Sequence, residues 1–168
     1  MRPDLSRVAP FYHNYINQVT EDDILEAFEN QSASFIHFLE TIPAEKYDHR
    51  YAEDKWSIRE LLQHIIDAER IFAYRALRFA RKDATPLPGF DENAYAVNAK
   101  ADKRSWDKLV EEFTVVRRSS ELLFQSFDED QLESNGISSN SPNYVRALGF
   151  IIIGHATHHQ KIIKERYL

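Results

Sequence analysis

Four long segments of this chain repeat their apolar residues at steps of three and four, and none alternates them convincingly at steps of two. Each such segment is an amphipathic helix with one stripe to bury, so the four stripes must face a common core. The first opens at Thr20. The expected N-cap is Thr20, with Asp23 at the third helical position and Val19 and Ile24 closing a hydrophobic staple. Ile24, Phe28, Phe35, Leu39 and Ile42 mark its face, and Pro43 stops it.

The second segment has the clearest start. Ser57-Ile58-Arg59-Glu60 is a capping box, with Trp56 and Leu61 placed as its staple. Ile58, Leu61, Leu62, Ile65, Phe72 and Phe79 form its apolar face, and the helix should run to about Lys82, before the Thr85-Pro86-Leu87-Pro88-Gly89 break. The third runs from about Ser105 to Phe127 on a stripe of Leu109, Phe113, Val116, Leu123 and Phe127. The fourth is expected to open at Ser141-Pro142, read as an N-cap and first-turn proline, and to continue to Leu168. The connections 83–104 and 128–140 are long for a bundle. The first is long enough to travel its whole length, and its middle, Asp91 to Lys100, has room for a short helix.

Composition narrows the class. The 168 residues, 43% of them hydrophobic, suit one domain, residues 1–168, with residues 1–19 (Phe11, Tyr12, Tyr15) packed as an arm on the bundle. With 21 Lys+Arg against 27 Asp+Glu the net charge is −6, which does not suit a general nucleic-acid binder. The absence of cysteine removes disulfides, thiolate metal sites and a cysteine nucleophile together. The N-terminal residues have no apolar signal-peptide core, and the longest apolar run, near Leu148 to Ile153, is too short to cross a bilayer. A soluble, cytoplasmic protein is expected, with no membrane partner.

Seven histidines are present, and two stand out. On the fourth helix the apolar stripe reads Val145, Leu148, Ile152, His155, His159, Ile162, at steps of three, four, three, four, three. His155 and His159 therefore occupy positions where a core wants Leu or Ile, one turn apart on one face. Two buried imidazoles side by side are costly unless each is hydrogen-bonded or metal-bound. His64 borders the apolar face of the second helix, about 10 Å from its start. If the second and fourth helices are antiparallel neighbours, the three rings meet in one layer. Three neutral nitrogens on a divalent ion leave coordination positions open, as catalytic rather than structural sites do. Imidazole ligation suits Zn, Ni, Fe or Cu. The competing reading is an ordinary polar pocket, with the pair satisfied by a tyrosine or carboxylate.

Asp67, one turn after His64, can accept the second N–H of a ligand histidine or serve as a solvated helix acid. Arg70 and Arg75 read as surface charges, Trp56 as a staple, and His13, His37, His49 and His158 as ordinary residues. No phosphate-binding or dinucleotide glycine motif occurs. The helical HExxH pattern is also absent, since Ala156 follows His155.

Lys55-Trp56-Ser57-Ile58-Arg59-Glu60-Leu61-Leu62-Gln63-His64-Ile65-Ile66-Asp67-Ala68-Glu69-Arg70 resembles the first signature of the DinB/YfiT-like metalloenzyme family. Gly154-His155-Ala156-Thr157-His158-His159 resembles its C-terminal signature, and Leu87-Pro88-Gly89-Phe90-Asp91 is similar to a loop common in it. The resemblance spans about residues 20–168. It implies an all-α, up-down-down-up four-helix bundle with a long crossover between helices two and three. It also implies metal ligands at His64, His155 and His159, with zinc or nickel favoured over iron, and a homodimer.

The resemblance leaves three functions open. The first, favoured by thiol-dependent relatives, is a transferase in which the metal holds a low-molecular-weight thiol as thiolate for attack on a small electrophile. The second is a metal-dependent hydrolase, with Asp67, Glu60 or Glu69 as the base that position 156 lacks. The third is a non-catalytic, dimeric stress-response bundle.

Overall fold

The computed structural model describes all of residues 1–168. Its α-helices are α1 (His13–Ile16), α2 (Ile24–Glu40), α3 (Ile58–Ala80), α4 (Glu92–Ala99), α5 (Trp106–Gln125), α6 (Glu129–Leu132) and α7 (Val145–Arg166). Two short strands, β1 (Asn135–Ser138) and β2 (Ser141–Tyr144), precede α7.

The four long helices α2, α3, α5 and α7 form an up-down-down-up bundle. Helix α3 runs antiparallel to α7, and the Tyr167 hydroxyl at the end of α7 donates to the Trp56 carbonyl just before α3, at 2.7 Å. Helix α2 runs parallel to α7: Ile24 lies against Gly149 near both starts, and Lys164 sits over the Phe38 ring near both ends. Phe28 packs on Phe124 and Phe35 on Phe113, which makes α2 and α5 antiparallel. Arg59 donates to the Arg104 carbonyl, and Glu69 pairs with Arg117, so α3 and α5 are parallel. Parallel neighbours need a connection that returns along the bundle, and residues 83–104 supply it, carrying α4 in their middle under an Asp91 cap.

The capping box of α3 is formed as read. The Glu60 amide donates to Ser57 Oγ at 3.2 Å, and the Ser57 amide donates to Glu60 Oε2 at 2.7 Å. Helix α2, by contrast, starts three residues later than the Thr20 reading. Asp23 is the N-cap, accepting from the amides of Leu25 (2.9 Å) and Glu26 (3.1 Å), while the Thr20 hydroxyl turns to Glu21. A carboxylate at a helix start gains from the aligned peptide dipoles as well as from the two N–H groups, and so outcompetes a hydroxyl.

The fourth helix also starts later than expected. Ser141-Pro142 belongs to β2, which pairs antiparallel with β1, and α7 begins at Val145. Ser139 and Asn140 both have positive φ (51° and 59°), the requirement of a two-residue hairpin turn that matches strand twist. Gly136 on β1 lies so close to Phe79 that a Cβ there would stand 2.3 Å from Cε1. Leu87 in the crossover joins this ribbon: its amide donates to the Ile137 carbonyl (2.9 Å) and its carbonyl accepts from the Ser139 amide (3.0 Å).

The N-terminal residues pack on the same end of the bundle. Val8, Tyr12, Ile16 and Val19 are buried among Phe150, Ile151 and Phe72. The apolar core falls into two parts, one around Phe79, Phe124 and Leu148 and one around Leu62, Phe113 and Ile163. Each fully buried Phe, Leu or Ile in them is worth about 1.5–3 kcal/mol relative to exposure. Near the junction lie His155 and the buried Glu69–Arg117 pair. No helix is long and apolar enough to cross a membrane.

Candidate metal centre

His64 comes from the second turn of α3, and His155 and His159 come from consecutive turns of α7. All three are buried, at 6%, 5% and 9% exposure. Nε2 of His155 stands 3.0 Å from Nε2 of His64 and 3.1 Å from Nε2 of His159. One nitrogen from each ring lies within 4.8 Å of the other two. The antiparallel pairing of α3 with α7 brings the single histidine to the height of the pair.

Burial pushes the His64 imidazole down to about 4. Burial, and then the neighbouring imidazoles, hold His155 and His159 well below the ordinary histidine range. All three rings are therefore neutral at pH 7, and neutral imidazole is the form that ligates a metal. Hydrogen bonding alone serves the cluster poorly. His155 Nε2 carries either one hydrogen or one lone pair, so it cannot make a full hydrogen bond to both His64 and His159. Nδ1 of His159 is buried with no partner.

Aromatic rings wall the cluster. Trp56 lies 4.8 Å from His64, and Tyr15 and Phe72 lie 5.3 and 6.0 Å from His155, centroid to centroid. Trp56 thus contributes to the site as well as to the helix start. Two cavities flank the cluster. One, of about 280 Å³, reaches His155 and is lined by Tyr12, Tyr15, Phe72, Arg75, Phe90 and Glu92 among others. The other, of about 210 Å³, reaches His159 beside Tyr51, Trp56, Asn93 and Tyr167. Glu92 and Asn93 are consecutive residues of α4, so the crossover helix stands at both mouths.

The carboxylates singled out from the sequence lie elsewhere. Asp67 accepts from Gln63 Nε2 at 2.9 Å and faces Arg70 and Arg104, and no histidine nitrogen donates to it. It points toward α5, not α7, and burial raises its carboxyl pKa. Glu69 is buried against Arg117, and Glu60 closes the capping box and accepts from Arg50. Arg70 is half-exposed and paired with Glu112. Arg75, read as a surface charge, is buried instead, at 2% exposure. The side chain missed in the sequence is Glu92. Its carboxyl is pushed up by burial first and by Asp91 second, and it lines the His155 cavity. Nothing local to Asp91-Glu92 signals this, because the crossover's path is what brings α4 to the site.

Comparison with known proteins fits this architecture. A family model described as the DinB superfamily matches residues 27–163. The chain belongs to the DinB superfamily. This DinB-superfamily chain is also 30% identical over 87 residues to an Oceanobacillus iheyensis protein named "putative metal-dependent hydrolase", a match covering 48% of each chain. It thus spans about half the length of that curated relative. Its structure is similar to that of YfiT from Bacillus subtilis, with a TM-score of 0.73 and 15% identity over 86% of this chain and 83% of that one. YfiT is described as a probable metal-dependent hydrolase with an unusual four-helix bundle topology. At that identity the likeness carries the fold alone.

Proposed function

We propose that this chain holds a divalent transition metal through His64, His155 and His159 and hydrolyses a small-molecule substrate in the adjoining cavity. The observation that carries the reading is the convergence of three neutral, buried Nε2 atoms beside a cavity containing an acid. Tetrahedral ligation with nitrogens about 2.0–2.1 Å from an ion puts them about 3.3 Å apart, close to the 3.0 and 3.1 Å of the two pairs that include His155, with the His64–His159 pair within 4.8 Å. Zinc or nickel suits this donor set, and iron follows. When bound, the ion supplies Lewis acidity and a lowered pKa for water or thiol.

The protein's own groups do the rest. Glu92, exposed at the cavity mouth, takes a proton from the nucleophile, its carboxyl pKa raised by partial desolvation and then by Asp91. Tyr15, Phe72 and Trp56 exclude bulk water from the rings. Asp67 has no part in this scheme beyond ordering Gln63 and Arg104.

The thiol-dependent transferase is the second reading. One observation favours it: no carboxylate is hydrogen-bonded within the histidine cluster, and a thiolate nucleophile needs no protein base. The proposal takes residues 1–168 as one folding unit and places it in the cytoplasm as a homodimer.

Untagged protein should contain close to one transition metal per chain by elemental analysis. His64→Ala, His155→Ala and His159→Ala should each lose most of it; full retention in all three overturns the ligand assignment. Ester or amide cleavage abolished by a chelator supports hydrolysis. Turnover only with an added thiol and a chlorinated arene replaces it with transfer.

A further inference from the structure

Three arginines are fully buried: Arg75, Arg117 and Arg146, at 2%, 1% and 3% exposure. Two are neutralised by carboxylates. Arg117 is held by Glu69, and Arg146 by Glu129 and Glu133. Arg75 has no carboxylate partner. Its Nη2 donates to the Pro88 carbonyl at 3.0 Å and to Ser139 Oγ at 2.9 Å, both neutral acceptors. No protein group accepts from its Nε or Nη1, and neither is sealed among the fully enclosed polar atoms. A guanidinium stays charged at any ordinary pH, and burying one unpaired is costly.

Arg75 lines the cavity that His155 also lines. It lies eleven residues after His64 on α3, close to three full turns, so both side chains leave the same face. Phe72 neighbours both Arg75 and His155. Its ring is 5.8 Å from the Arg75 guanidinium and 6.0 Å from the His155 ring, which bounds the separation at about 12 Å. Glu92, in the same cavity, is not the missing counter-ion: the hydrogen bonds of the Arg75 side chain go to Pro88 and Ser139.

We propose that this cavity binds a small molecule carrying one free carboxylate, with Arg75 receiving the carboxylate and the reacting group directed to His155. This names a substrate class for the proposed hydrolase and rests on that reading. Nε and Nη1 form the guanidinium edge that pairs with both oxygens of a carboxylate. Tyr12, Tyr15, Phe72 and Phe90 offer an aromatic wall for an apolar body between the two ends. The single free guanidinium edge has room for one carboxylate, and Glu92 in the same cavity repels the extra charge of a phosphate dianion. Ser139 holds Arg75 from a turn with both central residues at positive φ, and Leu87 ties that turn to the crossover, so the guanidinium is positioned before a ligand arrives.

The test compares 3-phenylpropanoate, its uncharged amide and inorganic phosphate by calorimetry and NMR, on protein as purified and after chelation. The acid should bind and shift Tyr15, Phe72 and His155 resonances, about tenfold or more tighter than the amide, with phosphate failing to compete. Arg75→Gln should erase that preference without changing metal content. If Arg75→Gln does not fold, Arg75→Lys and the acid–amide comparison on the natural protein decide. Equal binding of acid and amide, no binding of either, phosphate displacing the acid, or a preference unchanged in Arg75→Gln overturns the proposal. An acid preference that survives chelation and disappears in Arg75→Gln supports it. A preference lost on chelation but kept in Arg75→Gln assigns the anion to the metal, and leaves the histidine site standing. Retention in protein that never contains metal removes the hydrolase reading and keeps the Arg75 pocket.

Discussion

Nε2 of His64 on α3 and Nε2 of His155 on α7 face each other at 3.0 Å across 91 residues of chain. Neither ring is protonated near neutrality, so the contact joins two groups with lone pairs to offer. A cation that binds only the folded arrangement stabilises it by mass action, by about 2.7 kcal/mol at a free concentration one hundred times Kd. Adding zinc or nickel to chelated protein should therefore raise Tm. In His64→Ala the rise should shrink to that of a buffer control; an undiminished rise would place the ion elsewhere.

Acid should weaken the metal-free protein through the same rings. An unfolded imidazole titrates near 6.5, whereas His64 in the fold titrates at about 4. Between these values the unfolded chain binds more protons, so stability is full above 6.5, falls as the pH drops toward 4, and levels off below. His64 alone contributes at most about 3 kcal/mol to this loss. Denaturant titrations at several pH values, with chelator present, should give a shallower fall for His64→Leu than for the natural protein. Identical slopes would contradict the assigned shift.

Gly154 should not tolerate a side chain. A Cβ there would stand 2.0 Å from the Tyr15 carbonyl oxygen, a backbone atom that cannot step aside without moving the arm. Tyr15 also covers His155. Gly154→Ala should cost about 1–3 kcal/mol by overpacking and expose His155 to solvent. Thermal denaturation and solvent accessibility of the His155 ring by NMR check both consequences. An unchanged Tm would mean that the arm sits farther from α7.

The buried Glu69–Arg117 pair should respond asymmetrically. Removing one partner strands a charge in the core and should cost about 3–5 kcal/mol, as in Arg117→Met. The double replacement Glu69→Leu with Arg117→Met removes both charges and should recover much of that loss. Chemical denaturation of Glu69→Leu, Arg117→Met and the double variant forms the cycle; additive losses would deny the coupling.

Glu92→Gln removes the proposed base without touching the ligands. Turnover with a cleavable carboxylate substrate should fall by about 10²–10⁴-fold, with metal content and Tm held. Full activity would return the search for a base to solvent.

The sequence by itself determined the four long helices apart from two of their starts, the stop at Pro43, the cap at Ser57 and the histidine pair. These depend on interactions within a few residues, where spacing and residue type suffice. It also marked His155 and His159 as polar residues in a buried stripe, because the 3.6-residue period assigns every position a face. The hairpin at 135–144 escaped it: strands of four residues are too short to display alternation, and Ser-Pro opens an edge strand as readily as a helix. Tertiary structure alone decided the partners. His64 joins the pair because α3 runs antiparallel to α7, Asp67 turns to α5, and Arg75 is enclosed where the crossover folds back over α3. Glu92 reaches the cavity by the same path. Long-range neighbours are fixed by how whole helices pack, and that packing minimises exposed apolar surface over the entire chain rather than over any window of it.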